Sequence, residues 1–111
     1  MIPFVIYKDK LIRGRNTGLY AFPFIFISRL SSNIARTLIH ELIHHAQFIE
    51  GWAFGHIIRY QRYQRRYGYR YNPCEVEARM GAKNPDYLKT RKPHAYRDYI
   101  EQAENYIKNL R

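Results

Sequence analysis

At 111 residues the chain is long enough for one hydrophobic core but not for two, so we predict a single domain over residues 1–111. Hydrophobic residues make up 46% and charged residues 25%, which excludes a largely disordered chain. The net charge of +10 favours polyanionic neighbours without selecting one, and the single cysteine, Cys74, excludes an intramolecular disulfide and favours a cytoplasmic protein.

The N-terminal third of the chain has the composition of β-strands. Phe4–Ile6 and Leu19–Ile27 are rich in β-branched and aromatic residues. The residues between them that favour a turn are Gly14, Asn16 and Gly18. We therefore predict two strands of a small sheet, and Pro23 inside the second run predicts an edge strand or a bulge.

Four helices are predicted after these strands. The first runs from Ile34 to Glu50, because Ser31, Ser32 and Asn33 offer capping side chains before it and Gly51 follows it. The second covers Trp52–Tyr67 and ends at Gly68, the third begins with the cap Asn72 and Pro73, and the fourth covers His94–Leu110. Its inner face is expected to carry Tyr96, Ile100, Ala103 and Ile107. The predicted class is α+β, a small N-terminal sheet followed by about four helices.

The helix over about 33–50 carries His40, Glu41 and His44 in the pattern HExxH. Residues four apart lie one turn apart on the same helix face, so the two imidazoles can share a metal ion while Glu41 reaches the water beside it. This pattern is typical of zinc metallopeptidases, in which the glutamate acts as general base. The alternative is a pair of partly buried histidines that bond to the backbone.

A catalytic zinc ion needs a third protein ligand and one position for water. Glu50 lies six residues after His44, where metzincins place their last ligand, but Gln47 stands where that pattern needs glycine. Glu75 and Glu77 both qualify by residue type, and only one can face the metal because positions i and i+2 point in roughly opposite directions. Glu75 can instead complete a capping box at the start of the third helix.

The runs HELIH and NPCEVEA, residues 40–44 and 72–78, resemble small gluzincin-type zinc metallopeptidase domains. They are similar in particular to short uncharacterised bacterial metallopeptidase-like proteins, and also to the membrane CAAX-processing zinc proteases. The resemblance implies a minimal zincin-like fold, a peptide or protein substrate, and one zinc ion. The implied ligands are His40, His44 and Glu75. The family's acidic or amide residue four positions later is Arg79 here, which keeps a catalytically inactive, zinc-stabilised binding module as an alternative function.

The sequence also predicts positions or roles for several other side chains. Gln47, one turn after His44, is expected to hydrogen-bond to it. Tyr60, Tyr63 and Tyr67 have helical spacing and are expected in the core. The candidates to stabilise an oxyanion are Tyr69, Tyr71 and His94. We expect His56 to have a structural role.

The second predicted helix is rich in arginine and aromatic residues. Arginine and tyrosine interleave over residues 59–71, which suits contact with a polyanion and keeps a basic nucleic-acid-binding protein as a further alternative. Residues 51–67 mix aromatic, aliphatic and arginine side chains, which leaves a location at a membrane interface open. The most apolar stretch, residues 21–27, is too short to cross a bilayer, so we predict no transmembrane segment.

Overall fold

The computed structural model describes residues 3–8, 18–22, 24–28, 33–52 and 54–109. These residues form an α+β fold with three strands and five α-helices, which confirms the predicted class. The strands are β1 (Phe4–Lys8), β2 (Gly18–Ala21) and β3 (Phe24–Ser28). The helices are α1 (Ile34–Glu50), α2 (Phe54–Tyr71), α3 (Pro73–Gly81), α4 (Tyr87–Thr90) and α5 (Ile100–Asn109), and a 3-10 helix covers Ala95–Tyr99.

The sheet has the order β1-β3-β2, with β1 parallel and β2 antiparallel to the central strand β3. The prediction of one strand over Leu19–Ile27 is wrong, because this run turns back after Ala21 and pairs with itself as a hairpin. Strand β3 is central because it pairs with β2 on one edge and with β1 on the other, and its residues Ile25 and Ile27 are completely buried. Gly14, Asn16 and Pro23, for which a turn, an edge strand or a bulge was predicted, lie outside the described residues.

Helix α1 has the bounds that the sequence predicts. The Asn33 side chain accepts a hydrogen bond from the Arg36 backbone N–H at 3.0 Å, and Gly51 follows the last residue of the helix. Helix α1 contacts β2, β3, α2 and α3, so it is buried on more than one side, as its apolar residues predict. This central position encloses the HExxH residues.

The later helices differ from prediction in their ends. Helix α2 begins at Phe54 and is broken at Gly68, whose φ of 77° lies in the left-handed region that glycine adopts without strain. The predicted fourth helix begins instead as a 3-10 helix after His94, which has a φ of 59°, and becomes α-helical only at Ile100. Helix α4 was not predicted, because a single turn is too short to show a hydrophobic period. No helix in the described part of the chain has the length and apolar character that crossing a bilayer requires.

Candidate metal centre

Three side chains from two helices bring their donor atoms together. The Nε2 atoms of His40 and His44, one turn apart on α1, lie 3.2 Å from each other. The Glu75 Oε1 atom on α3 lies 3.1 Å from Nε2 of His44 and 3.6 Å from Nε2 of His40. Among the described residues this is the one group of three or more His, Cys, Asp or Glu side chains that is close enough to hold a metal ion.

These distances suit a tetrahedral zinc ion. Imidazole nitrogen and carboxylate oxygen bind zinc at about 2.0–2.1 Å, so two such ligands at the corners of a tetrahedron are about 3.3 Å apart. The observed separations of 3.1, 3.2 and 3.6 Å lie around that value. With zinc bound, these three ligands would leave one position for water, as catalytic rather than structural zinc sites do.

The local structure of α3 directs Glu75 to this position. The Asn72 side chain caps the helix by accepting from the Cys74 backbone N–H at 3.0 Å, and Pro73 occupies the first helical position. Oxygen Oε1 of Glu75 faces the imidazoles, and Oε2 accepts a hydrogen bond from the Tyr60 hydroxyl at 2.6 Å. The carboxylate is thus held at the centre rather than in a capping box with the Asn72 N–H.

Gln47 holds the His44 ring in one tautomer. Its fully buried amide nitrogen donates to the Cys74 carbonyl at 2.9 Å and to Glu77 Oε1 at 2.8 Å. The amide oxygen of Gln47 therefore faces Nδ1 of His44 at 3.0 Å and accepts a hydrogen bond from its N–H. This contact confirms the predicted hydrogen bond and leaves the Nε2 lone pair of His44 directed at the centre.

Convergence of these lone pairs makes the centre attractive to positive charge. Burial lowers the pKa of His44, but the hydrogen bond and charge of Glu75 outweigh it and raise the pKa to about 9. Burial raises the pKa of Glu75, yet the hydrogen bonds with His40 and His44 outweigh it, so the pKa lies well below its usual range. Either a proton or a metal cation can bind between the two Nε2 atoms and the Glu75 carboxylate.

The other acidic candidates are held in a separate buried network. Glu77 is fully buried and accepts hydrogen bonds from the Tyr87 hydroxyl at 2.7 Å and from Nε of Arg91 at 2.6 Å. Arg91 also donates two hydrogen bonds of 2.9 Å to Glu50, which accepts a third from the His94 backbone N–H. Glu50 and Glu77 therefore lie apart from the imidazoles, although Glu77 supports His44 through Gln47.

Arg79 does not take the place of the acidic group that the resemblance implies. Its guanidinium donates to the backbone carbonyl of Arg70. The Gln47 and Glu77 pair instead supplies the support for the His44 ring. Arg91, which holds Glu77, was missed because a single arginine after a short helix has no distinguishing pattern in a chain with 19 Lys and Arg.

The centre borders a cleft of about 610 Å³. Glu41 lies in its wall and is mostly buried, and burial raises its pKa although His44 and His40 act against the shift. The rest of the lining comes from β2 and the residue after it, and from α1, α2 and α3: Gly18, Leu19, Tyr20, Ala21, Phe22, His40, His44, Phe48, His56, Ile57, Tyr60, Gln61, Tyr69 and Glu75. A Cβ atom on Gly18 would lie 3.1 Å from Cγ of Glu41, so glycine lets β2 approach the motif helix here.

Two further residues of the cleft wall lie on α2, and Tyr60 corrects a sequence prediction. Tyr60 was expected in the core and lies instead in the cleft wall. Its side chain faces α3, where its hydroxyl donates a hydrogen bond to Glu75. His56 also lines the cleft, and its Nδ1 atom is buried without a hydrogen-bond partner among the described residues. Burial lowers the pKa of His56 to about 4, so its ring is neutral at pH 7.

Only one of the three predicted oxyanion candidates lies at the cleft. Tyr69 lines it, whereas Tyr71 stacks on Tyr106 and His94 pairs its Nδ1 with the Tyr96 hydroxyl at 3.0 Å. The prediction of core positions for the other tyrosines of α2 holds for Tyr67, which is buried.

Comparisons of the chain with known protein families, with curated proteins and with solved structures give no match. The function is therefore argued from the site itself. Two imidazoles, one carboxylate, a nearby buried glutamate and an adjoining cleft are the features that any proposal has to explain.

Proposed function

We propose that the chain is a zinc-dependent metallopeptidase of gluzincin type, with one zinc ion bound by His40, His44 and Glu75 and with Glu41 as general base. The observation that carries the proposal is the triangle of donor atoms with sides of 3.1, 3.2 and 3.6 Å. Its orientation is supported by Gln47, which directs one imidazole lone pair inward.

The donor set favours zinc over magnesium and calcium. Magnesium and calcium prefer oxygen ligands only, whereas two imidazoles and a carboxylate suit zinc. Cys74 is buried, and its sulfur is not among the donor atoms that come together in this group. When bound at such a site, zinc lowers the pKa of a coordinated water toward neutrality.

Glu41 is positioned to move the proton that hydrolysis requires. It follows His40 on α1 and lines the cleft that adjoins the centre. Burial raises the pKa of its carboxyl group and makes the carboxylate a stronger base. In hydrolysis the water oxygen bonds to the carbonyl carbon, Glu41 accepts the water proton and passes it to the leaving nitrogen, and the C–N bond breaks.

The shape of the cleft favours an extended peptide as substrate. Five consecutive residues, 18–22, line it, so β2 contributes backbone as well as side chains. One edge of β2 pairs with β3, and no other described strand pairs with its second edge. A peptide that adds to this edge would gain backbone hydrogen bonds beside Glu41. His56 and Tyr69 lie in the same wall as candidate donors to an oxyanion.

The proposal is tested by Glu41→Gln, which keeps the shape of the side chain and removes the base. We expect cleavage of a fluorogenic peptide library to fall by about 10²–10⁴-fold, while zinc content stays near one equivalent. Glu101→Gln on the exposed face of α5 is the matched control and should keep full activity. If wild-type protein holds zinc and cuts no peptide, the inactive binding module is correct and the peptidase proposal is wrong.

A further inference from the structure

Apolar side chains project into solvent at the turn between α1 and α2. Trp52 is 89% exposed, Phe54 79%, Ile58 60% and Ile57 51%. We call these four residues the apolar ridge. Single exposed hydrophobic residues are common on proteins, but neighbouring large ones mark a surface that another body covers.

Backbone geometry keeps the apolar ridge on one side of the molecule. Trp52 has a φ of 52°, which places it in a left-handed turn just before α2. Phe54, Ile57 and Ile58 follow at positions i, i+3 and i+4 of α2, so they share one helix face. Trp52 and Phe54 are the most exposed of the four, and side chains that project this far into solvent can insert into an apolar environment.

Positive charge continues the same helix face. Arg62 and Arg65 lie eight and eleven residues after Phe54, on the same side of α2, and both are exposed. In the part of the chain that the structure describes, no carboxylate pairs with either of them. A groove of about 570 Å³ beside this face is lined by Arg59, Arg62 and Arg66. The net charge of the chain is +10.

We propose that the apolar ridge and the arginines of α2 form a docking surface for an anionic lipid bilayer. Tryptophan, phenylalanine and isoleucine favour the boundary between headgroups and acyl chains, and arginine favours the phosphates above it. The order along the helix matches that division, with apolar residues at its start and Arg62 and Arg65 about two and three turns after Phe54. This contact requires neither bound zinc nor peptide cleavage.

Trp52 is the only tryptophan of the chain, so its fluorescence reports on the apolar ridge alone. Full-length protein is titrated with phosphatidylcholine vesicles that contain phosphatidylserine and, separately, with vesicles of phosphatidylcholine only. We expect a blue shift of the emission and co-sedimentation with the anionic vesicles, both weakened by salt. Equal binding to both kinds of vesicle, or binding to neither, would overturn the proposal.

Variants separate the apolar from the electrostatic part of the contact. Phe54→Ser should weaken vesicle binding at least tenfold through lost apolar burial, and Arg62→Gln and Arg65→Gln should each weaken it about fivefold. The matched controls are Met80→Ser and Arg97→Gln, which change an exposed residue outside this face. Circular dichroism checks that each variant is folded.

Two results of these measurements would contradict the assignment of the surface. If Arg97→Gln weakens binding as much as Arg62→Gln does, net charge rather than this face attracts the bilayer. If the blue shift appears without vesicles as the protein concentration rises, a second copy of the chain covers the apolar ridge. The proposal is supported if the wild-type protein binds the anionic vesicles and the control variants Met80→Ser and Arg97→Gln bind them equally well.

Discussion

Replacing Gln47 by methionine should weaken zinc binding without a change in any ligand. Methionine has nearly the same length and volume as glutamine but neither donates nor accepts a normal hydrogen bond. The substitution removes three buried contacts, with His44 Nδ1 at 3.0 Å, the Cys74 carbonyl at 2.9 Å and Glu77 Oε1 at 2.8 Å. The His44 ring then loses the contact that fixes its tautomer and orientation.

The size of the effect follows from what each former partner retains. Glu77 still accepts hydrogen bonds from Tyr87 and Arg91, so its buried charge stays paired. The Nδ1–H group of His44 is left without its acceptor, which costs about 1–3 kcal/mol of folding free energy. Loss of such a supporting contact weakens metal binding about 10–100-fold, or about 1.4–2.7 kcal/mol.

Two measurements on the same preparation test this prediction. Competition for zinc against a chromogenic chelator gives the affinity, and urea unfolding of metal-free protein gives the stability. Gln102→Met, on the exposed face of α5, is the matched control and should change neither quantity. Zinc affinity of Gln47→Met within about twofold of wild type would refute the argument that the amide orients His44.

Three further substitutions test other parts of the account. Tyr60→Phe removes the 2.6 Å hydrogen bond to Glu75 and should weaken zinc binding about tenfold in the same competition assay, and an unchanged affinity would show that this hydroxyl does not orient the carboxylate. Burial lowers the pKa of His56 from 6.5 to about 4, so the stability that its neutral ring contributes is complete above pH 6.5 and is lost as the pH falls through 4. The free energy of unfolding of metal-free protein should therefore fall less on acidification in His56→Phe than in wild type, by about 2 kcal/mol after allowance for partial exposure. An equal fall in the two proteins would contradict the lowered pKa of His56. A Cβ atom on Gly81 would lie 2.7 Å from the Tyr87 ring, so Gly81→Ala should lower the free energy of unfolding by about 1–3 kcal/mol, and urea curves identical to wild type would contradict this packing.

Local rules account for what the sequence could predict. The bounds of α1 follow from a capping asparagine and a terminal glycine, and the shared face of His40 and His44 follows from helical geometry alone. The same geometry predicts that Glu75 and Glu77 face different ways, and their separate partners confirm it. Each of these features depends on residues only a few positions apart.

Features that depend on distant contacts could not be predicted in this way. The parallel pairing of β1 with β3 joins strands that have β2 between them in the sequence, and no local pattern distinguishes one long strand from the hairpin of β2 and β3. Arg91 follows α4 and lies between Glu50 and Glu77 only because the chain folds so that this residue meets both α1 and α3. The role of Tyr60 was mistaken because helical spacing shows which residues share a face, but not which element that face meets.

The central claim is that His40, His44 and Glu75 bind one zinc ion with a position left for water. Anomalous diffraction at the zinc absorption edge, from crystals grown with one equivalent of zinc, tests it most directly. We predict a single anomalous peak about 2.0–2.1 Å from both Nε2 atoms and from a Glu75 carboxylate oxygen. A peak elsewhere, or no peak in protein that is saturated with zinc, would contradict the claim.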